Sequence, residues 1–235
     1  MSRQQKRQQR EADIISATIE LLNQNSFLDL RMSDIAKAAK CSMGAIYSHF
    51  SSKEDLLLGC ACKLIREKIA LLDKILSNDM EPIEYLLMVN CMMWLLNSTY
   101  PQHHQLTQLA MNPSIWRRAS VSRSEIMNEL GDFMQLDVDS LAFEALEKVS
   151  KNQNSQRTIR TFRTGLFGLS MGIYNMKESG FGCFTESLQD EDGIELHLTN
   201  LGRYLKGWGF DPDQFNRSLK EIYELADGLV KAELT

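Results

Sequence analysis

Three kinds of residue grouping in this 235-residue chain could do chemistry. The first is Gly168-Leu169-Ser170-Met171-Gly172, the G-x-S-x-G spacing of a nucleophile elbow, with Asp190 and His197 following in the chain order of a hydrolase triad. The second holds thiols and imidazoles that could ligate a metal or change redox state: Cys60-x-Cys62, the pair His103-His104, and Cys41, Cys91 and Cys183. The third is polar rather than reactive. Ser42, Tyr47, Ser48 and His49 crowd between residues 42 and 49 around the small Gly44 and Ala45. Hydroxyls and an imidazole flanking a low helix face suit hydrogen bonding to phosphate, the chemistry of a DNA backbone contact.

Each grouping needs its own support. A nucleophile elbow requires a strand before the serine and a parallel sheet beneath it. The chain has 32 Leu and 5 Val, a ratio that favours helices and makes a large sheet improbable, so the expected fold class is all-α. A helical, esterase-like enzyme using Ser170, or an adaptor that does not bind DNA, is the runner-up. On a helix, Gly165, Gly168 and Gly172 fall at i, i+3 and i+7 and form a low ridge that another helix can approach. Cys60 and Cys62, two residues apart, point about 200° apart on a helix and cannot share a metal. His103-His104 lacks a third ligand at usable spacing. Neither a metal nor a cofactor is expected.

The supports for the third grouping are legible. Ile14, Ile15, Ala17, Thr18, Leu21 and Leu22 recur with helical period, and the helix ends near Asn23-Gln24-Asn25-Ser26. Met32 to Ala39 and Met43 to Phe50 predict two short helices separated by Lys40-Cys41-Ser42, the dimensions of a helix-turn-helix. Ser42 can cap the second of them. Ile46 and Phe50, four apart, fall on its inner face, while Tyr47, Ser48 and His49 fan outward. Ser51-Ser52-Lys53-Glu54 reads as a capping box that opens a long fourth helix. Further helices are predicted near 82–98, 102–111, 113–134, 139–151, 156–178, 191–207 and 212–233, with 179–183 as a loop. Two domains follow: a DNA-binding unit over 1–50 and a helical unit over 51–235.

Charge follows the same division. The whole chain carries −5. Residues 1–53 hold eight Lys/Arg and five Asp/Glu, a balance of +3, which leaves −8 for the rest. Arg3, Lys6, Arg7 and Arg10 precede the first acid; an arm of this kind is ordinarily a solvated, disordered terminus. No secretory signal opens the sequence, and its most apolar stretch, Tyr85 to Leu96, is shorter than the roughly 20 residues a membrane span needs. Five scattered cysteines suit reduced thiols. The expected location is the cytoplasm, with no membrane partner.

Ile35-Ala36, Ser42, Gly44, Tyr47, His49-Phe50, Lys53-Glu54 and Leu56 stand in a register that closely resembles the DNA-binding domain of the TetR family of bacterial transcriptional regulators. The resemblance covers about residues 12–58; beyond it, only length and helicity are similar. It implies Tyr47 and Lys53 on phosphates with His49 beside them. Met43, Gly44 and Ala45 would lie at base edges, and Ser33 would approach from the second helix. It further implies a homodimer on palindromic double-stranded operator DNA, a repressor released by a small-molecule effector, and pairing of the last long helices between subunits, where Gly165, Gly168 and Gly172 would lie. Two positions depart from the family pattern. Lys40 stands where a glycine is usual, and Arg31 replaces a capping Thr or Ser. A left-handed Lys40 would be strained by roughly 1 kcal/mol, and its side chain would then be within reach of a phosphate.

Met88, Met92, Met93, Met111, Met127 and Met134, with Trp94, Trp116 and Phe133, crowd the middle helices. Flexible thioethers and aromatics suit a pliable apolar cavity. Met88, Met92, Met93, Trp94, Met111, Trp116, Met127 and Phe133 are therefore the expected lining of a lipophilic effector site. Arg117-Arg118, Arg160 or Arg163 are candidates to neutralise an anionic head group.

Overall fold

The computed structural model describes residues 1–76, 80–149, 155–178 and 193–234. Every regular element among them is helical. They are α1 (Arg3–Leu22), α2 (Met32–Ala38), α3 (Met43–Tyr47), α4 (Lys53–Leu76), α5 (Pro82–Thr99), α6 (Pro101–Ala110), α7 (Pro113–Trp116), α8 (Val121–Val149), α9 (Gln156–Lys177), α10 (Gly193–Gly207) and α11 (Leu219–Leu234), with a 3-10 turn at Pro212–Gln214. No helix among the described residues is long and apolar enough to cross a membrane. The predicted loop at 179–183, Cys183 and Asp190 lie outside the described residues.

Four boundaries differ from the sequence reading, each for a local reason. The basic arm is helical from Arg3, because Ser2 and Gln5 form a reciprocal capping box. Helix α4 starts one residue later than the predicted box. Its cap is Ser52, whose Oγ accepts from the Asp55 amide, while Asp55 reaches back to the Ser51 amide. In place of helices over 113–134 and 139–151, one turn at α7 precedes a single long α8. Residues 135–138 hold no proline or glycine to stop it, and Ser120 opens it by accepting from the Arg123 amide. The last predicted helix begins only at Leu219, where Ser218 and Glu221 exchange hydrogen bonds as a capping box.

The chain divides into two compact units, Met1–Ala70 with Leu96–Phe133, and Leu71–Leu95 with Met134–Thr235. The first unit packs α1, α2 and α3 with α4 and α6 around Ile14, Leu22, Ile35, Ile46, Phe50, Leu56 and Leu106. A second cluster joins Leu58, Ala61, Cys62 and Met127. Cys60 belongs to the first cluster and Cys62 to the second, as two residues on opposite faces of a helix must. Burial pushes the Cys60 thiol up to about 12.

The core of the second unit centres on Phe162, with Tyr204, Trp208 and Phe210 around its ring at centroid distances of 5.9, 5.2 and 5.7 Å. Glu84, fully buried, accepts from both the amide and the guanidinium of Arg217 at 2.9 Å. His197 stacks on Trp94 at 4.5 Å, and its Nε2 lies 2.9 Å from Asn90 Oδ1. Burial pulls the His197 imidazole down to about 4, so it stays neutral through the ordinary pH range.

Helix α10 ends with Gly209 at φ +88, the Gly209 amide bonded to Lys206 O and the Phe210 amide to Leu205 O. This is a Schellman motif, in which the residue after the cap must turn left-handed.

Candidate nucleic-acid interface

The same motif recurs at the turn between α2 and α3, with lysine in the glycine's place. The Cys41 amide bonds to Ala36 O at 3.0 Å and the Lys40 amide to Lys37 O at 3.2 Å. Lys40 adopts φ +49, the one left-handed non-glycine residue among those described. Its Cβ meets the following carbonyl, which costs about 1–2 kcal/mol. Lys40→Gly is therefore expected to raise the unfolding free energy by about 1 kcal/mol in urea titrations, less whatever the freer unfolded chain returns. An unchanged or lower midpoint would show that the lysine is not strained.

Arg31 likewise weakens its own element. It occupies the N-cap of α2 and makes no side-chain cap hydrogen bond, forgoing about 1 kcal/mol. The first turn of α1 contains no acid, although the helix dipole favours one there. Arg3, Lys6, Arg7 and Arg10 are all exposed, and Arg7 reaches Ser48 O at 3.4 Å. At three places around α3 the chain puts cations where local stability asks for something else.

Helix α3 has one buried side and one open side. Ile46 and, just beyond the helix, Phe50 are completely buried. Ser33, Lys40, Ser42, Met43, Gly44, Tyr47 and Ser48 are exposed, and Ala45 is half-buried. Ser42 Oγ caps the helix by accepting from the Ala45 amide at 3.1 Å, and Ser48 Oγ donates to Ala45 O at 2.7 Å. A Cβ added to Gly44 would meet only Ser42 Oγ, at 3.9 Å. Nothing inside the fold requires glycine there.

Two expected contacts sit differently from the sequence reading. His49 does not fan outward: its side chain is 7% exposed, with Nδ1 3.7 Å from Glu11. It follows Ile46 by nearly one turn, which carries it round toward the inner face. Lys53 is half-buried, and its Nζ donates to Phe27 O at 2.6 Å, tying α4 to the loop before α2. Burial holds the Lys53 ammonium below its usual range.

Behind these residues lies a polar latch that residue spacing could not reveal, because its members come from three distant segments. Asp55, 2% exposed, accepts from the amide and hydroxyl of Ser51 at 2.9 and 3.2 Å, and from the amide and hydroxyl of Ser120 at 3.1 and 2.8 Å. Burial alone would raise its carboxyl. The Ser51 and Ser120 hydrogen bonds, with the charge of Arg123, instead hold it below the usual carboxylate range. Arg123 also donates to Glu11 at 2.8 Å, and its guanidinium lies over the Phe50 ring at 5.3 Å. Glu11 thus stands between Arg123 and His49. Ser52 Oγ donates to Arg118 O, and Arg118 pairs with Glu54 at 2.9 Å. The start of α8 is pinned to the start of α4 and to Phe50 just beyond α3.

The expected effector lining is divided between the units. Met88, Met92, Met93 and Trp94 fall in the second, the first two and Trp94 buried. Met111, Trp116, Met127 and Phe133 fall in the first. There Met127 is core with Trp116 packed against it, and Met111 is 56% exposed. Phe133 borders an open groove of about 370 Å³ with Arg66, Ile69, Ile126, Glu129 and Leu130. Of the candidate arginines, Arg118 pairs with Glu54, Arg117 donates to Ser114, Arg163 pairs with Asp139 at 2.9 Å, and Arg160 is exposed.

The glycine ridge also divides. A Cβ on Gly165 would lie 2.1 Å from the Tyr204 hydroxyl, so that glycine makes room for a tyrosine of its own chain, which donates to Phe162 O. Gly168 and Gly172 are exposed and have nothing within 4 Å of a would-be Cβ. The elbow pattern has no elbow. Ser170 lies inside α9, buried, donating to Leu166 O at 3.2 Å, and the Nε2 of His197 is engaged by Asn90. Among the described residues no three His, Cys, Asp or Glu stand close enough to hold a metal.

Comparison with known proteins agrees with this arrangement. Residues 14–60 match the model of bacterial regulatory proteins of the tetR family. No curated protein sequence matches the chain. Among solved structures, similar folds include the transcriptional regulator FadR from Bacillus subtilis in complex with stearoyl-CoA (20% identity, 83% of this chain and 98% of that one, TM-score 0.62). FadR from Bacillus halodurans is another (19%, 81% and 97%, TM-score 0.56). RolR in complex with resorcinol is a third (15%, 95% and 96%, TM-score 0.57). Residues 14–60 thus carry a helix-turn-helix similar to the DNA-binding domain of the tetR family of bacterial regulatory proteins, and the chain as a whole shares its all-helical fold with these regulators.

Proposed function

We propose that the chain is a dimeric cytoplasmic repressor that reads a near-palindromic operator with α3 and leaves it when a small, largely apolar effector binds. The observation that carries this reading is the two-sided recognition helix. Ile46 and Phe50 anchor it from within, while Met43, Gly44 and Tyr47 stand open at the height a major groove admits. In this reading Met43, Gly44 and Ala45 face base edges. Tyr47, Lys40 and Lys53 hold phosphates, and Ser33 approaches from α2. Ser42 and Ser48 spend their hydroxyls on α3 itself and so set its position. His49 acts from inside, through Glu11 and Arg123.

Residues 1–50 form the reading head and 51–235 the sensing and dimerisation domain. The exposed Gly168 and Gly172 are candidates for close helix approach between subunits. The effector must bind the DNA-incompetent state better than the competent one, and the latch at Asp55 is the element through which α4 and α8 can bias α3. The fold-sharing regulators bound to stearoyl-CoA and to resorcinol support a small-molecule effector with an apolar body.

The test is anisotropy titration of duplexes tiled through the DNA upstream of its own gene, at two salt concentrations. Two chains per site on a near-palindrome are expected, with affinity falling steeply as salt rises, since neutralised phosphates release counterions. Equal binding to all duplexes sinks the proposal.

A further inference from the structure

Among the described residues, the first unit buries a cation with no carboxylate paired to it. Lys68 on α4 is 3% exposed. Its Nζ has one hydrogen bond, at 3.4 Å, to Thr107 Oγ1 on α6, and no carboxylate pairs with it among the described residues. Thr107 spends its own proton on His103 O, so it offers Lys68 only a neutral lone pair. Beside it His103 is 5% exposed, and its Nδ1 is buried without a hydrogen-bond partner. Leu64, one turn before Lys68 on α4, and Leu106 and Leu109, either side of Thr107 on α6, are all buried in the core of this unit.

A buried ammonium in apolar surroundings is costly unless paired, and a methionine would fill the same space without that penalty. Burial drags Lys68 down to about 8. Burial and the Lys68 charge together drag His103 down to about 4, leaving it a neutral imidazole whose ring proton can be donated. Two buried polar groups thus lie close together on α4 and α6, the Lys68 ammonium with one long bond to a neutral oxygen and the His103 Nδ1 with no partner.

We propose that Lys68 and His103 form the polar end of the effector site, and that the effector carries an anionic head, a carboxylate or a phosphate, on an apolar body. The head pairs with the Lys68 ammonium and accepts from the His103 ring, while the apolar body displaces leucine packing between α4 and α6. An anion seated there moves α6 against α4. The chain after α6 runs through α7 to Ser120, which Asp55 holds. This inference names the class of effector in the reading above and rests on that reading only for release from DNA, so binding is measured without DNA.

The full-length protein is titrated calorimetrically with octanoate, octyl phosphate and 1-octanol. The wild type is expected to bind one or both anions roughly ten- to hundredfold more tightly than the alcohol, the range for a charge-assisted hydrogen bond; the stronger of the two identifies the head group. Lys68→Met should erase that preference and, without ligand, melt at a higher temperature than the wild type. Should the variant not fold, wild-type protein carrying 13Cε-labelled lysine gives a second reading: saturating octanoate or octyl phosphate shifts the Lys68 titration upward. No anion preference in the wild type, a preference that survives Lys68→Met, or an unmoved Lys68 titration overturns the proposal. Operator binding by ligand-free Lys68→Met, measured separately, shows whether the reading head stands regardless.

Discussion

Asp55→Ala is expected to lower the unfolding free energy by about 3–5 kcal/mol, the range for removing one member of a buried, hydrogen-bonded charge pair. The truncation leaves the Ser51 and Ser120 amides without their acceptor. It also takes from Arg123 one of its two carboxylates, the nearer Oδ of Asp55 lying 4.0 Å from Nε. Four hydrogen bonds go with one side chain. Urea denaturation at pH 7 measures the loss; a change under about 1 kcal/mol would mean the latch carries little.

The pH dependence of that difference has a definite sign. The folded carboxyl of Asp55 sits below its ordinary value of 3.8. Its contribution is fully present above about 3.8 and is lost as pH falls through the folded value. The gap between wild type and Asp55→Ala should hold from pH 8 to pH 5 and close only in stronger acid. The two buried imidazoles behave otherwise. His103 and His197, both pulled down to about 4, cost stability between their ordinary 6.5 and about 4, because there only the unfolded chain accepts their protons. Both proteins therefore weaken together across that window while their difference stays constant.

Gly44→Leu is expected to leave the fold intact and to weaken operator binding by roughly a hundredfold or more, as one or two base-level contacts at about 1–3 kcal/mol each are lost. The position is exposed, and the would-be Cβ has only Ser42 Oγ within 4 Å. Within the helix, leucine is the better residue, so the melting temperature should hold or rise. On the DNA side, the isobutyl group stands where the backbone of α3 must approach base edges. A stable variant that still bound the operator at wild-type affinity would remove α3 from the interface. A variant that lost both stability and binding would show that Gly44 serves packing instead.

The reading head was legible because its determinants are local. Ser42 caps a helix three residues from its own hydroxyl, Ile46 and Phe50 share a face by periodicity, and the strain at Lys40 follows from a turn whose length is set by its neighbours. His49 was misjudged for a related reason. At the end of a short helix one further residue of rotation decides between solvent and core, and Glu11, 38 positions earlier, supplies the polar partner that makes the inward setting tolerable. The capping box at Ser218-Leu219-Lys220-Glu221 was present in the sequence but masked by Pro212, an equally good helix opener that yields only a 3-10 turn.

Composition and local spacing decided that the chain is helical, that its first fifty residues form a helix-turn-helix, and that the elbow pattern is inert. Each of these depends on residues within a turn or two of one another. Tertiary packing alone decided the rest. It joined Asp55 to Ser120 and Arg123 to Glu11 across 65 and 112 positions of sequence. It gave Gly165 to Tyr204, and it buried Lys68 with no carboxylate paired to it among the described residues. A charged residue written in a sequence looks solvated by default; only the packing of distant helices shows which charge has been taken out of water and what it lacks.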